Sequence, residues 1–113
     1  MLFFAREVGE LHARGHKDII LDPGFGFGKT VEQNHALLAR LECLQVMELP
    51  ILVGVSRKSM IYRPLGITPD EALPATTALH AIALMKGANI LRVHDVKEAV
   101  QAVKLFLLSV AQK

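Results

Sequence analysis

The sequence predicts an α/β fold built on a parallel sheet, and two observations carry the prediction. Three short runs, Ile19–Leu21, Ile51–Val53 and Ile90–Val93, are apolar at consecutive positions except for Arg92, the pattern of strands covered on both faces. Longer segments of helical period lie between them, as parallel crossovers require.

The elements follow in order. Leu2 to Ala13 reads as a helix with Leu2, Phe4, Val8 and Leu11 near one face and Gly15 as its stop. The first strand ends in the turn signal Asp22-Pro23-Gly24. Thr30 and Gln33 fit a capping box, and Leu37, Leu38, Leu41 and Leu44 supply the apolar face of the helix it opens. Pro50 starts the second strand, where proline is tolerated. A loop with Gly54 and Ser56 follows, then a short helical start near Lys58. Thr68-Pro69-Asp70-Glu71 is a helix entrance, with a cap, a first-position proline and an acidic third position; that helix is expected to run to Lys86 and stop at Gly87. After the third strand, Asp95 and Glu98 resemble a capping box with Asp as the cap. The last helix places Val96, Val100, Val103, Phe106, Leu107 and Val110 on one side.

Composition narrows the classes. The chain has 113 residues, 51% hydrophobic and 21% charged, a globular balance in one small domain. A net charge of +2 without a basic stripe argues against nucleic acid. No apolar run reaches membrane length, and Leu2–Ala5 is too short for a signal peptide. Cys43 is the only cysteine, which fits a reducing, cytoplasmic setting and suggests neither a disulfide nor a zinc cluster. Three parallel strands leave two unpaired edges, so the pattern reads as part of a larger fold. A complete (β/α)8 barrel typically needs ~250 residues.

Three motifs lie at successive strand ends, the face on which such folds bind ligands. In Asp22-Pro23-Gly24-Phe25-Gly26-Phe27-Gly28-Lys29, a P-loop would need glycine at Pro23 and the dinucleotide fingerprint a third glycine at Lys29. ATP and NAD are therefore disfavoured. Alternating glycines still let the backbone approach a flat ligand, and Asp22 can accept hydrogen bonds from an amino-heterocycle or simply cap the turn. In Ser56-Arg57-Lys58-Ser59, cations at a helix entrance oppose the helix dipole and suggest a bound anion; the alternative is a basic loop with Ser56 as cap. In Arg92-Val93-His94-Asp95, Arg92 and His94 share a strand face, and the planar fork of arginine suits phosphate. The alternative pairs Arg92 with a carboxylate and leaves His94 in a turn. His12, His16, His35 and His80 show no metal-ligand spacing.

Together with Met60 and Val96, these motifs closely resemble three signatures of dihydropteroate synthases, in that family's order and approximate spacing. The resemblance implies the C-terminal portion of a (β/α)8 TIM barrel, about strands six to eight with their helices, with the N-terminal strands absent. It implies condensation of p-aminobenzoate with 6-hydroxymethyl-7,8-dihydropterin pyrophosphate, with Mg²⁺ present and its ligand outside this chain. By the same resemblance Asp22 and Lys58 bind the pterin, and Gly26 and Phe27 line the p-aminobenzoate pocket where sulfonamides also bind. Ser59 takes the p-aminobenzoate carboxylate, and Arg92 and His94 hold the pyrophosphate. The family usually dimerises through helices from this end of the barrel. Tyr62-Arg63-Pro64 and Pro74-Ala75-Thr76-Thr77 depart from family habits, both off the signature positions. Alone, the chain is expected to be inactive. Two other readings stand beside this one. A related pterin-binding barrel transfers methyl groups to a corrinoid but needs no pyrophosphate site, and a partial barrel could be a non-catalytic assembly module or truncated-gene remnant.

Overall fold

The computed structural model describes residues 2–112, with side chains from Ala5 onward. Five α-helices, α1 (Leu2–Ala13), α2 (Val31–Ala39), α3 (Ser59–Leu65), α4 (Leu73–Met85) and α5 (Val96–Val110), surround two short parallel strands, β1 (Leu52–Val53) and β2 (Ile90–Leu91). Leu52 pairs with Ile90 and Val53 with Leu91. On the other side of β1, Leu21 forms a single parallel bridge to Ile51. The three predicted strands are thus neighbours in the order of the chain, all parallel, with β1 in the middle.

The strands are shorter than their apolar runs. Only Leu21 of the first run enters the ladder, through its N–H to the Pro50 carbonyl and its own carbonyl to the Leu52 N–H. Ile20 faces the other way and is exposed, which corrects the expectation of a fully buried strand. The third run pairs as far as Arg92, whose N–H reaches the Val53 carbonyl, before the chain turns toward Asp95. The core gathers around β1: Leu21, Phe25, Leu38, Leu41, Ile51, Val53, Val55 and Met60 are all buried.

Helix boundaries follow local chemistry. The Thr30–Gln33 capping box opens α2 as predicted. Its helix then ends at Ala39, and Leu41–Met47 continue as a 3₁₀ helix, whose three-residue period stacks buried Leu41 and Leu44 on one side. The helix expected from Thr68 is divided into a 3₁₀ turn, Pro69–Glu71, and α4. Pro74 explains the break: it cannot donate to the Asp70 carbonyl, and its ring crowds that group. Gly15 and Gly87 terminate α1 and α4 with positive φ, as read from sequence. Val8 is buried on α1; the side chains of Leu2 and Phe4, assigned to the same face, lie outside the described ones.

The apolar side of α5 is real but open. Val96, Val100 and Leu107 are exposed, and with Leu91, Val93 and Phe106 they line a groove of about 650 Å³ between α5 and β2. The other side of α5 presents Leu105 and Leu108 to solvent as well. Exposed apolar surface on this scale, beside short unpaired strand edges, favours association. The isolated chain is expected to sediment as a concentration-dependent mixture of oligomers; a single monomeric boundary across the concentration range would contradict this.

His80 on α4 is buried, and its Nε2 has no partner among the described residues. Burial lowers its pKa, opposed by the charge of Asp95. The unfolded chain therefore binds this proton more readily than the folded chain, and stability falls as pH drops below the unfolded value of about 6.5. Substituting His80→Gln is expected to flatten the pH dependence of the melting temperature between about pH 7 and 5, the range over which a normal histidine titrates.

Candidate functional site

The turn after Leu21 is held from both ends. Asp22 Oδ1 accepts from the Gly24 N–H at 2.9 Å, so the capping reading of Asp22 holds. Its Oδ2 faces Arg92 Nη1 at 3.9 Å, so the same carboxylate also borders the charged site. Gly24, Gly26 and Gly28 have φ of +75°, +91° and +63°, a path closed to most side chains. Lys29 Nζ donates to the Gly24 carbonyl at 2.8 Å. Asn34 on α2, which sequence reasoning passed over, is 1% exposed and accepts from the Gly26 N–H at 2.8 Å.

Lys58 stands at the centre. Its Nζ donates to the Phe25 carbonyl at 2.6 Å and lies 5.3 Å from the centroid of the exposed Phe27 ring. Burial lowers its pKa, and the nearby charge of Arg92 lowers it further against the opposing effect of Asp22. On one side of Lys58, Phe25, Gly26, Phe27, Ser59 and Tyr62 line an open cleft of about 400 Å³. On the other, Gly54, Ser56, Arg92 and His94 enclose a recess of about 100 Å³. Six of the seven residues singled out from sequence (Gly26, Phe27, Lys58, Ser59, Arg92 and His94) therefore line this cleft-and-recess system, and the seventh, Asp22, stands outside its lining, 3.9 Å from Arg92.

Two neighbours serve differently from their sequence reading. Arg57 borders the same cleft as Lys58, but its guanidinium is taken up by protein partners. It adopts φ +55°, and its guanidinium grips both carboxylate oxygens of Asp95 at 2.9 and 3.0 Å and the Pro69 carbonyl at 2.7 Å. Its N–H donates to Thr76 Oγ1, which α4 buries. Asp95 stands at the N-cap position of α5 as read, but its side chain consequently makes no cap hydrogen bond, correcting the expected capping box. The hydrogen bond from Arg57 holds the Asp95 carboxyl below its usual range and raises the arginine in turn. Ser56, buried, is not a helix cap either: its Oγ meets His94 Nδ1 at 2.8 Å and accepts from the His94 N–H at 3.3 Å. That contact engages one ring nitrogen and leaves Nε2 for a ligand.

The recess is lined by lysine and arginine and, among the described residues, by no carboxylate; Asp22, outside it, stands 3.9 Å from Arg92, longer than a hydrogen bond. Such a site suits a phosphate-type anion, and the adjoining aromatic cleft suits a flat ring. Gly54 makes the fit possible: a Cβ there would lie 2.7 Å from Arg92 Nη2. Because the displaced atom ends a flexible side chain, Gly54→Ala is expected to leave the melting temperature nearly unchanged. It should weaken binding of pyrophosphate, read by calorimetry, about tenfold, the worth of one charge-assisted hydrogen bond.

Residues 3–94 match the model of the pterin binding enzyme family. The dihydropteroate synthase of Escherichia coli K12 is 43% identical over 98% of this chain, which spans 40% of that enzyme's length. The dihydropteroate synthase of Yersinia pestis, solved with a pterine–sulfa conjugate, superposes with a TM-score of 0.94 at 44% identity, over 98% of this chain and 45% of the other. The Clostridium difficile enzyme, solved in the presence of pteroic acid, gives 0.86 at 40% identity, over 92% of this chain and 40% of the other. With an α/β fold shared with these structures and a family match across most of its residues, this chain belongs to the pterin binding enzyme family.

Proposed function

We propose that this chain forms part of a dihydropteroate synthase active site, supplying about strands six to eight of a (β/α)8 barrel. The reaction joins p-aminobenzoate to 6-hydroxymethyl-7,8-dihydropterin pyrophosphate: the aryl amine forms a C–N bond at the pterin methylene as the C–O bond to pyrophosphate breaks. One observation carries the reading. Lys58 joins an aromatic cleft to a cationic recess, so a ring-bearing acid and a pyrophosphate can sit on either side of one residue.

Each residue then has a task. Asp22 accepts from the amino-pterin ring, and Lys58 donates to the same ring. Gly26 and Phe27 form the wall beside the p-aminobenzoate ring, and Ser59 meets its carboxylate. Arg92 and His94, the latter oriented by Ser56, take up negative charge as it develops on the departing pyrophosphate. An aryl amine is a weak nucleophile, so early departure of the leaving group suits these residues, and no general base is required of them. Mg²⁺ would add charge stabilisation at the pyrophosphate. Among the described residues no three His, Cys, Asp or Glu side chains cluster as metal ligands. A homodimer and a cytoplasmic setting belong to the same reading, and the exposed apolar surface of α5 supports the first.

The chain alone is expected to be inactive. Replacing the matching 40% of the E. coli enzyme with this chain should restore dihydropteroate formation from labelled p-aminobenzoate. Arg92→Ala in that chimera should lower kcat by about a hundredfold, the usual effect of removing a charge-stabilising donor. A folded chimera that binds neither substrate would sink the proposal.

A further inference from the structure

Asn34 stands out among buried side chains. It lies one turn into α2 and is 1% exposed, against a core cluster of aliphatic side chains with Phe25 and Met60. Asparagine is a poor helix former, and burying an amide is costly unless both ends are bonded. Here both are: Nδ2 donates to the Thr30 carbonyl at 3.0 Å, and Oδ1 accepts from the Gly26 N–H at 2.8 Å.

The second bond acts at a distance of eight residues, on a turn whose other side-chain ties reach Gly24 and the Phe25 carbonyl but not the Gly26 amide. Three glycines with positive φ give residues 24–28 no regular structure, and the one internal backbone bond, Phe27 N–H to the Gly24 carbonyl, is a long 3.3 Å. Lys29 ties that turn at Gly24, the buried Phe25 ring anchors its start, and Asn34 ties the Gly26 amide to α2. The tied residue lies against Lys58: a Cβ on Gly26 would stand 3.2 Å from Lys58 Cδ. Moving Gly26 therefore moves the Phe25 carbonyl that Lys58 holds and the Phe27 ring beside it. Aromatic walls from Phe25, Phe27 and Tyr62, with the Lys58 and Arg63 cations and the Ser59 hydroxyl, make this a cleft for a small aromatic carboxylate.

We propose that Asn34 is a positioning residue, whose bond to Gly26 sets the turn against Lys58 and thereby the affinity of the cleft for an aromatic carboxylate. In naming p-aminobenzoate as that ligand the inference rests on the dihydropteroate synthase reading; the role in holding the turn does not.

The test uses the full chain and two variants. Asn34→Leu keeps the volume and helix while removing both bonds. Asn34→Asp keeps an oxygen toward the Gly26 amide. Hydrogen exchange by mass spectrometry is followed in segments 24–30 and 51–55, and binding of labelled p-aminobenzoate and of pterin pyrophosphate is measured by equilibrium dialysis with Mg²⁺. In Asn34→Leu, exchange in 24–30 should quicken about tenfold with 51–55 unchanged, and the p-aminobenzoate Kd should rise about tenfold, the equivalent of one lost hydrogen bond. Affinity for pterin pyrophosphate, held also by Arg92 and His94 from the recess, should fall less than that for p-aminobenzoate, and Asn34→Asp should recover most of the p-aminobenzoate affinity. Unchanged exchange in 24–30, unchanged p-aminobenzoate binding, or an equal loss for both ligands overturns the positioning role. A parent chain that binds neither ligand overturns the ligand assignment instead, and the exchange arm then decides whether Asn34 holds the turn.

Discussion

The ion pair between Arg57 and Asp95 is the constraint on which the geometry of the site depends. Each partner is next in sequence to a residue of the site, Arg57 to Lys58 and Asp95 to His94. A forked guanidinium meeting both oxygens of one carboxylate fixes orientation as well as distance. The loop after β1 and the loop after β2 are thereby locked together at the strand ends. Side-chain exposures of 24% and 21% leave the pair in contact with water, so its main effect is registration rather than stability. Arg57 adopts a left-handed backbone to make it, a cost that buried Thr76 and the Pro69 carbonyl help to offset.

That lock separates two cations that adjacency in sequence would place together. With Arg57 neutralised by Asp95, the cations left for a ligand on that side are Lys58 and Arg92, which come from different strand ends. Their mutual repulsion appears as the downward pull of Arg92 on the pKa of Lys58. Two cations held near one another, with one loosely placed carboxylate, are poorly satisfied by the protein itself. An anion entering the recess relieves that repulsion, so its binding is favoured by a cost already present in the fold.

Much of this was legible in the sequence, and the failures have physical causes. Short apolar runs located all three strand positions, although only the central one, around Ile51 and Val53, is deeply buried. Strand lengths were not legible: Ile20 is as apolar as Leu21 yet faces outward, and apolarity alone does not say which side is covered. Thr30 capped its helix as read, since its box is local and uncontested. Asp95 took the cap position as read but not the capping bond, because a guanidinium from a residue 38 positions away competes for the same oxygens. The helix expected from Thr68 broke at Pro74, a residue whose local effect was visible but was read only as a departure from family habit. Asn34 left a faint signal: an amide at a helical position between Val31 and Leu38, where the apolar face needs a hydrocarbon.

The same geometry separates the enzyme readings. A barrel that carries a methyl group from a pterin to a corrinoid also needs an acidic contact like Asp22, but its reaction expels no pyrophosphate. It gains nothing from Gly54, whose missing Cβ leaves room for Arg92, nor from a buried serine spent on orienting His94. Those features are costly in a fold indifferent to anions: Ser56 is a buried hydroxyl, and Lys58 and Arg92 repel. They become useful when charge develops beside them during bond cleavage, because pre-placed donors need no reorganisation at that moment. The recess, more than the glycine-rich turn, is therefore what argues for a pyrophosphate-releasing transferase.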